Sequence, residues 1–307
     1  MRRFFVFLGV IVSMIGSAVS AQEVDSIAPL QKSSWGDAKT EEFIDFVPDI
    51  SLDTRFGYEQ YFADKRGRFK GDGIYLNIDG YISPNFSYCF QQRLASTYYE
   101  ENDGFNGTNY LTLTYSIGSF EFTAGKGGVL TGGFENDYED MDSYYEMNSM
   151  FYNMLDSYQW GVSATWYPAD NHSVTLQAIR SPFDYEDSGL FGLDLAWREE
   201  SDIYDSFFTA NLWEYEPGRF VKNLSVGNRF YIGDFTIDID AHMRAARMNR
   251  ILDDTSFTLR PAYEFGEWGC LFAKFGWESV AEGLPYELAY DDGIEYMFYG
   301  AGFECYP

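Results

Sequence analysis

The chain has 307 residues, and its 48 acidic residues against 21 lysines and arginines give a formal net charge of −27. This charge argues against a nucleic-acid-binding protein, because contacts with phosphates need a basic face. Aromatic residues make up 20% of the chain, which excludes an acidic disordered protein, because disorder goes with few aromatic residues. No proline- or serine-rich linker divides the sequence, so we expect one folded unit.

The first predicted element is a secretory signal peptide over residues 1–21. Arg2 and Arg3 precede an apolar run that ends in small residues at Ala21. A basic start, an apolar stretch and a small-residue end are typical of a cleaved export signal. The run falls short of the ~20 apolar residues that a membrane-spanning helix needs. We therefore expect export across the inner membrane.

Beyond this segment, apolar and polar residues alternate with a period of two, which predicts strands with one apolar and one polar face. Residues 235–245 show the pattern clearly, with phenylalanine, isoleucine, alanine and methionine on one face and threonine, aspartate, histidine and arginine on the other. The alternation predicts fourteen strands: 50–60, 73–82, 86–96, 108–117, 120–127, 157–167, 172–180, 189–197, 206–215, 222–232, 235–246, 255–264, 269–278 and 294–305. Most of them approach the ~9–11 residues that cross a bilayer at a tilt.

The connections between the predicted strands differ in length. Those after even-numbered strands are mostly short, and those after odd-numbered strands are mostly longer, such as 61–72, 97–107, 128–156 and 279–293. An even number of strands with short turns on one rim and long loops on the other is typical of outer-membrane barrels. The predicted fold class is therefore all-β: a transmembrane antiparallel up-and-down β-barrel over residues 50–307, with short periplasmic turns and long extracellular loops. Residues 22–49 would form a periplasmic lead-in or a plug.

A secreted β-sandwich would also contain alternating strands. Tyrosine and tryptophan favour the membrane barrel, because they gather towards predicted strand ends, where membrane interfaces hold such side chains. These aromatic residues are Tyr58, Tyr81, Tyr98, Tyr158, Tyr167, Trp197, Trp213, Trp268 and Trp277. We therefore expect the protein in the outer membrane of a Gram-negative bacterium, in contact with its lipid.

Four segments resemble the phosphate-selective porin O and P family of Gram-negative outer membranes. They are YISPNFSYCFQQR at 81–93, AGKGGVLTGGFE at 124–135, WEYEPG at 213–218 and GNRF at 227–230. The likeness runs from about residue 70 to the end of the chain. It implies a water-filled channel for passive diffusion of small hydrophilic solutes or ions, often assembled as a homotrimer.

The longest predicted loop, 128–156, departs from the family's anion-selective members, which line the pore with arginine and lysine. Residues 135–156 carry several acids and no basic residue, so a phosphate filter does not transfer to this part of the loop. If the loop folds into the lumen, its carboxylates form a constriction that favours cations; if it stays outside, they are solvated. The predicted constriction residues are Glu135, Asp137, Glu139, Asp140, Asp142 and Glu146.

The polar strand faces would point into the lumen and bring charges of both signs together. The predicted pore-lining residues are Arg55, Arg93, Arg229, Asp238, Asp240, Arg244, Arg260 and Lys274. They could create a transverse field across the pore, or they could pair with one another, as charges in a partly dry interior must. Fourteen strands predict a narrow, water-filled interior unless loops plug it.

An enzyme is not expected. His172 and His242 are the two histidines, and the sequence contains no phosphate loop, zinc-ligand spacing or nucleophile elbow. No cofactor or metal is expected either. Two alternatives to a channel remain, a closed barrel with a structural or ligand-binding role and a lipid-hydrolysing barrel. Cys89, Cys270 and Cys305 form no disulfide framework, although a Cys270–Cys305 bridge stays open.

Overall fold

The fold is one antiparallel sheet of fourteen strands that follow one another in chain order. The computed structural model describes residues 47–61, 66–94, 107–135, 148–185, 188–246, 254–266, 268–284, 288 and 293–305. Each strand pairs with the next strand along the chain. The predicted all-β, up-and-down class is therefore confirmed. In the described part of the chain, no helix has the length and apolar character needed to cross a membrane.

The strands are β1 Asp49–Tyr61, β2 Arg66–Ser83, β3 Phe86–Arg93, β4 Thr108–Ile117, β5 Phe120–Gly128, β6 Tyr158–Ala169, β7 His172–Arg180, β8 Phe191–Glu199, β9 Tyr204–Glu216, β10 Arg219–Ile232, β11 Phe235–Ala246, β12 Asp254–Glu264, β13 Gly269–Ser279 and β14 Glu295–Cys305. A short helix, α1, covers Met150–Met154 between β5 and β6. All fourteen predicted strands are present. The predicted long connection 61–72 is wrong, because β1 and β2 continue pairing up to Tyr61 and Arg66.

The two faces of the sheet differ in polarity, as β8 shows. Phe191, Leu193 and Leu195 are 42–52% exposed, whereas Asp194 and Ala196 between them are buried. Exposed apolar side chains and buried polar ones reverse the arrangement of a water-soluble protein. A lipid-facing outer surface around a polar interior accounts for this reversal.

The sheet curls around part of the β5–β6 connection. We call the described part of this connection, residues 129–135 and 148–157, the inner loop. The Leu130 amide donates to Gln177 in β7 at 3.2 Å, and the Phe134 amide donates to Asp240 in β11 at 2.9 Å. The Met150 amide reaches Glu278 in β13 at 2.8 Å. One segment can reach strands so far apart only if the sheet wraps around it, so the inner loop lies in the lumen.

An apolar core lies between the inner loop and the inner face of the sheet. Phe151 of α1 and Trp213 of β9 are fully buried there, with ring centroids 6.0 Å apart. Val280 and Leu284, which follow β13, join the same cluster. The odd-numbered strands end at one rim of the barrel, which we call the loop rim. The half of the lumen next to the loop rim is therefore packed with side chains.

Aromatic pairs line the opposite rim, where the short turns join even-numbered strands to odd-numbered ones. Phe86 and Tyr115 have ring centroids 4.7 Å apart, and those of Phe235 and Tyr263 are 4.6 Å apart. We call this rim the turn rim. Its aromatic pairs are typical of the girdle that membrane barrels carry at the lipid–water interface. The prediction that Trp213 lies at the membrane interface is wrong, because this side chain faces inward and is fully buried.

Candidate functional site in the barrel lumen

The strand register places inward-facing polar residues in rows across β8 to β13. The first row contains Asp194, Asn211, Asn223, Arg244 and Asp254. The next row, one step closer to the turn rim, contains Thr209, Ser225, His242, Ser256 and Glu278. All ten side chains are buried, because the inner loop and neighbouring side chains cover this part of the wall.

Four of the predicted pore-lining cations lie beside carboxylates. The pairs are Arg229 Nε–Asp238 Oδ1 at 2.7 Å, Arg260 Nη1–Asp238 Oδ2 at 3.6 Å, Arg244 Nη2–Asp254 Oδ1 at 2.5 Å and Lys274 Nζ–Glu135 Oε1 at 2.9 Å. Buried charges are stable only when they are paired in this way. The wall from β10 to β13 is therefore largely neutralised by its own ion pairs.

Some wall acids accept hydrogen bonds from backbone amides of the inner loop. Asp240, another predicted pore-lining residue, accepts from the Phe134 amide at 2.9 Å. Glu278 accepts from the Met150 amide at 2.8 Å and from the Ser256 hydroxyl. These acids satisfy backbone donors that would otherwise be buried without partners, so they hold the loop in place.

Glu135 is the one predicted constriction acid among the described residues. It accepts from the Ser149 amide at 2.7 Å and from the Ser149 hydroxyl at 2.9 Å. The Lys274 ammonium donates to the same carboxylate, and all three side chains are buried. The other predicted constriction residues, Asp137, Glu139, Asp140, Asp142 and Glu146, lie outside the described residues.

The other half of the wall, on β1 to β4, carries a row of amides. Asn77 donates to Asp53 at 2.5 Å, Gln91 donates to Asn77 at 2.9 Å, and Asn109 donates to Gln91 at 2.7 Å. We call Asp53, Asn77, Gln91 and Asn109 the amide row. Its three amides are buried, so the row is a hydrogen-bonded chain inside the wall with one carboxylate at its end.

The two remaining predicted pore-lining residues also lie in the first three strands. The Arg93 guanidinium carbon lies 5.2 Å from the ring centroid of Tyr75, a distance that suits a cation–π contact. Arg55 lies in β1, and its side chain falls outside the described part of the structure.

His242 is enclosed by the inner loop. Its Nδ1 lies 2.8 Å from the Ser225 hydroxyl, and its ring stacks on Phe151 with centroids 4.9 Å apart. The histidine and the serine are both fully buried, so lipid cannot reach this pair. Cys89 is a free thiol. The side chain of Cys305 falls outside the described part of the structure, so the Cys270–Cys305 bridge stays open.

Sequence reasoning missed the neutral partners in this site. Asn211 and Trp213 donate to Asp194 Oδ1, each at 2.7 Å. Ser149 joins the two segments of the inner loop by donating to Glu135. Asn211 and Trp213 share a strand face, which the period of two could have indicated. Ser149 carried no such signal, because it lies in a connection without periodicity.

Residues 50–198 match the model of the phosphate-selective porin O and P family. No curated protein matches the chain. A solved porin structure, refined at 1.8 Å, shares 11% identity and a TM-score of 0.50, covering 76% of this chain and 84% of that one. The family match confirms the resemblance over residues 50–198, whereas the segments at 213–218 and 227–230 lie beyond it. The porin structure shows the same fold.

Two further solved structures are similar at lower scores. OmpT of Vibrio cholerae with loop L8 deleted shares 12% identity and a TM-score of 0.47, over 75% of this chain and 82% of that one. The outer-membrane channel DcaP of Acinetobacter baumannii shares 10% identity and a TM-score of 0.46, over 84% and 97%. The family match supports a porin-type channel located in an outer membrane, and the solved porin structure supports the fold.

Proposed function

We propose that the protein is a narrow diffusion channel for small hydrophilic solutes or ions, with the inner loop as its constriction. The observation that carries this proposal is the set of hydrogen bonds from the loop to β7, β11 and β13. They hold the loop against one half of the wall. The path would run along the other half of the wall. Like most channels of this kind, it would use no cofactor.

The proposed channel has no strong preference for phosphate. The cations Arg229, Arg244, Arg260 and Lys274 each lie beside a carboxylate, so they attract a permeating anion weakly. The sequence from Asp137 to Glu146 contains several acidic residues and no basic residue. A ring of carboxylates at a constriction favours cations, so we expect a modest preference for cations.

The remaining parts of the proposal concern targeting and assembly. We infer that residues 1–21 are cleaved during export, that the mature chain lies in the outer membrane of a Gram-negative bacterium, and that residues 22–49 form a periplasmic lead-in or a plug. The mature chain would assemble as a homotrimer. Sequencing the N-terminus of protein purified from outer membranes tests the cleavage, and cross-linking in detergent tests the assembly.

Conductance in planar bilayers tests the channel itself. Refolded protein should give discrete current steps, with reversal potentials under a salt gradient that indicate cations. A variant neutralised at Asp137, Glu139, Asp140, Asp142 and Glu146 should lose that preference. Glu135 stays intact in this variant because it is paired with Lys274.

A matched control neutralises Asp170, Asp202 and Asp234, which are exposed in the short turns, and should leave the reversal potential unchanged. An anion preference in the wild type would restore the phosphate-selective interpretation. A folded barrel that never conducts would contradict the channel and favour a closed barrel with a structural or ligand-binding role.

A further inference from the structure

The two segments of the inner loop, 129–135 and 148–157, meet at one carboxylate. Glu135 is the last residue of the first segment, and Ser149 lies near the start of the second. The Ser149 amide and hydroxyl both donate to Glu135, at 2.7 Å and 2.9 Å. Lys274 of β13 donates to the same carboxylate at 2.9 Å. Glu135 therefore joins two loop segments that are 14 residues apart in sequence to a third element, the wall.

The start of α1 is fixed by a second carboxylate next to the first. Ser149 caps the helix, and the Met150 amide donates to Glu278 at 2.8 Å and to the Tyr296 hydroxyl oxygen at 3.0 Å. The first amides of a helix have no partners within the helix, and buried carboxylates are strong acceptors for them. The position of α1 in the lumen thus depends on two acids, of which Glu135 alone belongs to the loop.

We propose that Glu135 is a positioning residue: it holds both segments of the inner loop on the wall and so fixes the width of the conducting path. Lys274 affects conduction only by holding the loop, through Glu135 and through Asn148. The proposal rests on the channel function proposed above. It changes the role expected from the sequence, because Glu135 would act on the loop and not on the permeating ion.

The physical basis is the cost of breaking a buried ion pair. Glu135 and Lys274 are each at most 4% exposed, and removal of one partner takes this ion pair away from the other buried charge. Such a change shifts the equilibrium between the attached and the detached inner loop by about a hundredfold or more. A loop that detaches a hundred times more often would widen the path for part of the time.

The test compares unitary conductance, current noise and reversal potential in planar bilayers. Glu135→Asp keeps the charge but withdraws the carboxylate by one methylene, and Glu135→Gln removes the charge. Both should show larger or noisier current steps than the wild type. Glu135→Asp should leave the reversal potential unchanged, because it changes the position of the loop and not the charge of the lumen.

A double variant tests the role of Lys274. Glu135→Gln combined with Lys274→Met removes both charges of the pair, so the noise and conductance of the double variant should lie closer to the wild type than those of Glu135→Gln. Its reversal potential should equal that of the wild type. A shift towards cations in the double variant would mean that Lys274 itself contacts permeating ions, and this would overturn its proposed role.

Glu216→Gln is the control for ion pairs in general, because Glu216 lies 2.7 Å from Arg219 in an exposed pair. It should conduct like the wild type. Wild-type conductance in folded Glu135→Asp and Glu135→Gln would overturn the positioning role while the channel stands. A silent wild type with a conducting Glu135→Asp would keep the positioning role and overturn the open channel; silence in both would overturn both.

Discussion

A β carbon on Gly227 would lie 2.3 Å from the Cα of Gly133, so the inner loop and β10 touch backbone to backbone. The Gly133 amide also donates to the carbonyl of Phe207 in β9 at 3.1 Å. Gly133 has a φ of +88°, which favours glycine. Glycine within a strand often marks such a close approach, and here it lets the loop lie flat on the wall.

Gly227→Ala should lift the inner loop from β10. The added methyl group would meet the backbone of Gly133 and the Asp240 carboxylate, at 2.3 Å and 2.8 Å, and backbone cannot move aside as a side chain can. Overpacking of this kind costs about 1–3 kcal/mol. Equilibrium unfolding of the variant in lipid vesicles measures the loss.

Gly80→Ala is the matched control for this prediction. A β carbon there would lie 2.7 Å from the hydroxyl of Tyr88, the far end of a flexible side chain, so the free energy of unfolding should change little. Equal stability of Gly227→Ala and the wild type would show that the loop does not rest on β10.

Leu195→Arg should destabilise the barrel strongly. Leu195 lies midway along β8 on the outer face and is 52% exposed. An arginine at the bilayer midplane of a barrel costs about 2–4 kcal/mol, and near the interface about 0–1 kcal/mol. The free energy of unfolding in lipid vesicles should therefore fall more for Leu195→Arg than for Ile232→Arg, since Ile232 ends β10 at the turn rim. Equal costs at both sites would contradict the membrane-spanning orientation.

Most of the fold could be predicted because strand alternation is a local property. In β11 the polar face of the sequence is the buried face of the structure, from Asp238 to Arg244. β9 is harder to interpret, because Phe207 and Phe208 put an aromatic ring on each face. The place of Trp213 near the end of the predicted strand indicates the membrane interface, yet Trp213 shares its face with the polar residues Thr209 and Asn211.

The partners of the site residues could not be predicted, because they depend on contacts between distant parts of the chain. Lys274 and Glu135 are 139 residues apart in sequence, and no periodicity connects them. Arg244 and Asp254 are separated by only ten residues, yet their pairing depends on the register of β11 and β12. Patterns in the sequence identified inward-facing charges, whereas tertiary contacts decide which of them are paired.

Asp194→Ala should cost about 2–4 kcal/mol of unfolding free energy, because two buried donors lose their acceptor. Trp213 Nε1 and Asn211 Nδ2 both donate to Asp194 Oδ1 at 2.7 Å. Asp194→Asn is the matched variant, since its amide oxygen can still accept from both donors. Denaturant titration should give Asp194→Asn a clearly higher free energy of unfolding than Asp194→Ala. The same stability for both would show that these hydrogen bonds contribute little.

Asp184 should make the connection between β7 and β8 sensitive to acid. Burial alone would raise the pKa of this carboxyl, but hydrogen bonds from Ser188 and Leu190 and the charge of Arg180 outweigh burial and lower the pKa below its ordinary value of 3.8. The Ser188 amide donates at 2.8 Å and the Gly189 amide at 3.0 Å. The carboxylate therefore holds this turn together while it is ionised.

Because the folded-state pKa is lowered, the stabilisation is complete above about pH 3.8 and is lost as the pH falls through the lower folded-state value. Hydrogen exchange of the 188–190 amides, corrected for intrinsic exchange rates, should show protection at neutral pH that declines in this acid range. Asp184→Asn should exchange faster at neutral pH and lose the acid dependence. Protection in the wild type that persists well below the ordinary value would mean that neutral hydrogen bonds are enough to hold the turn.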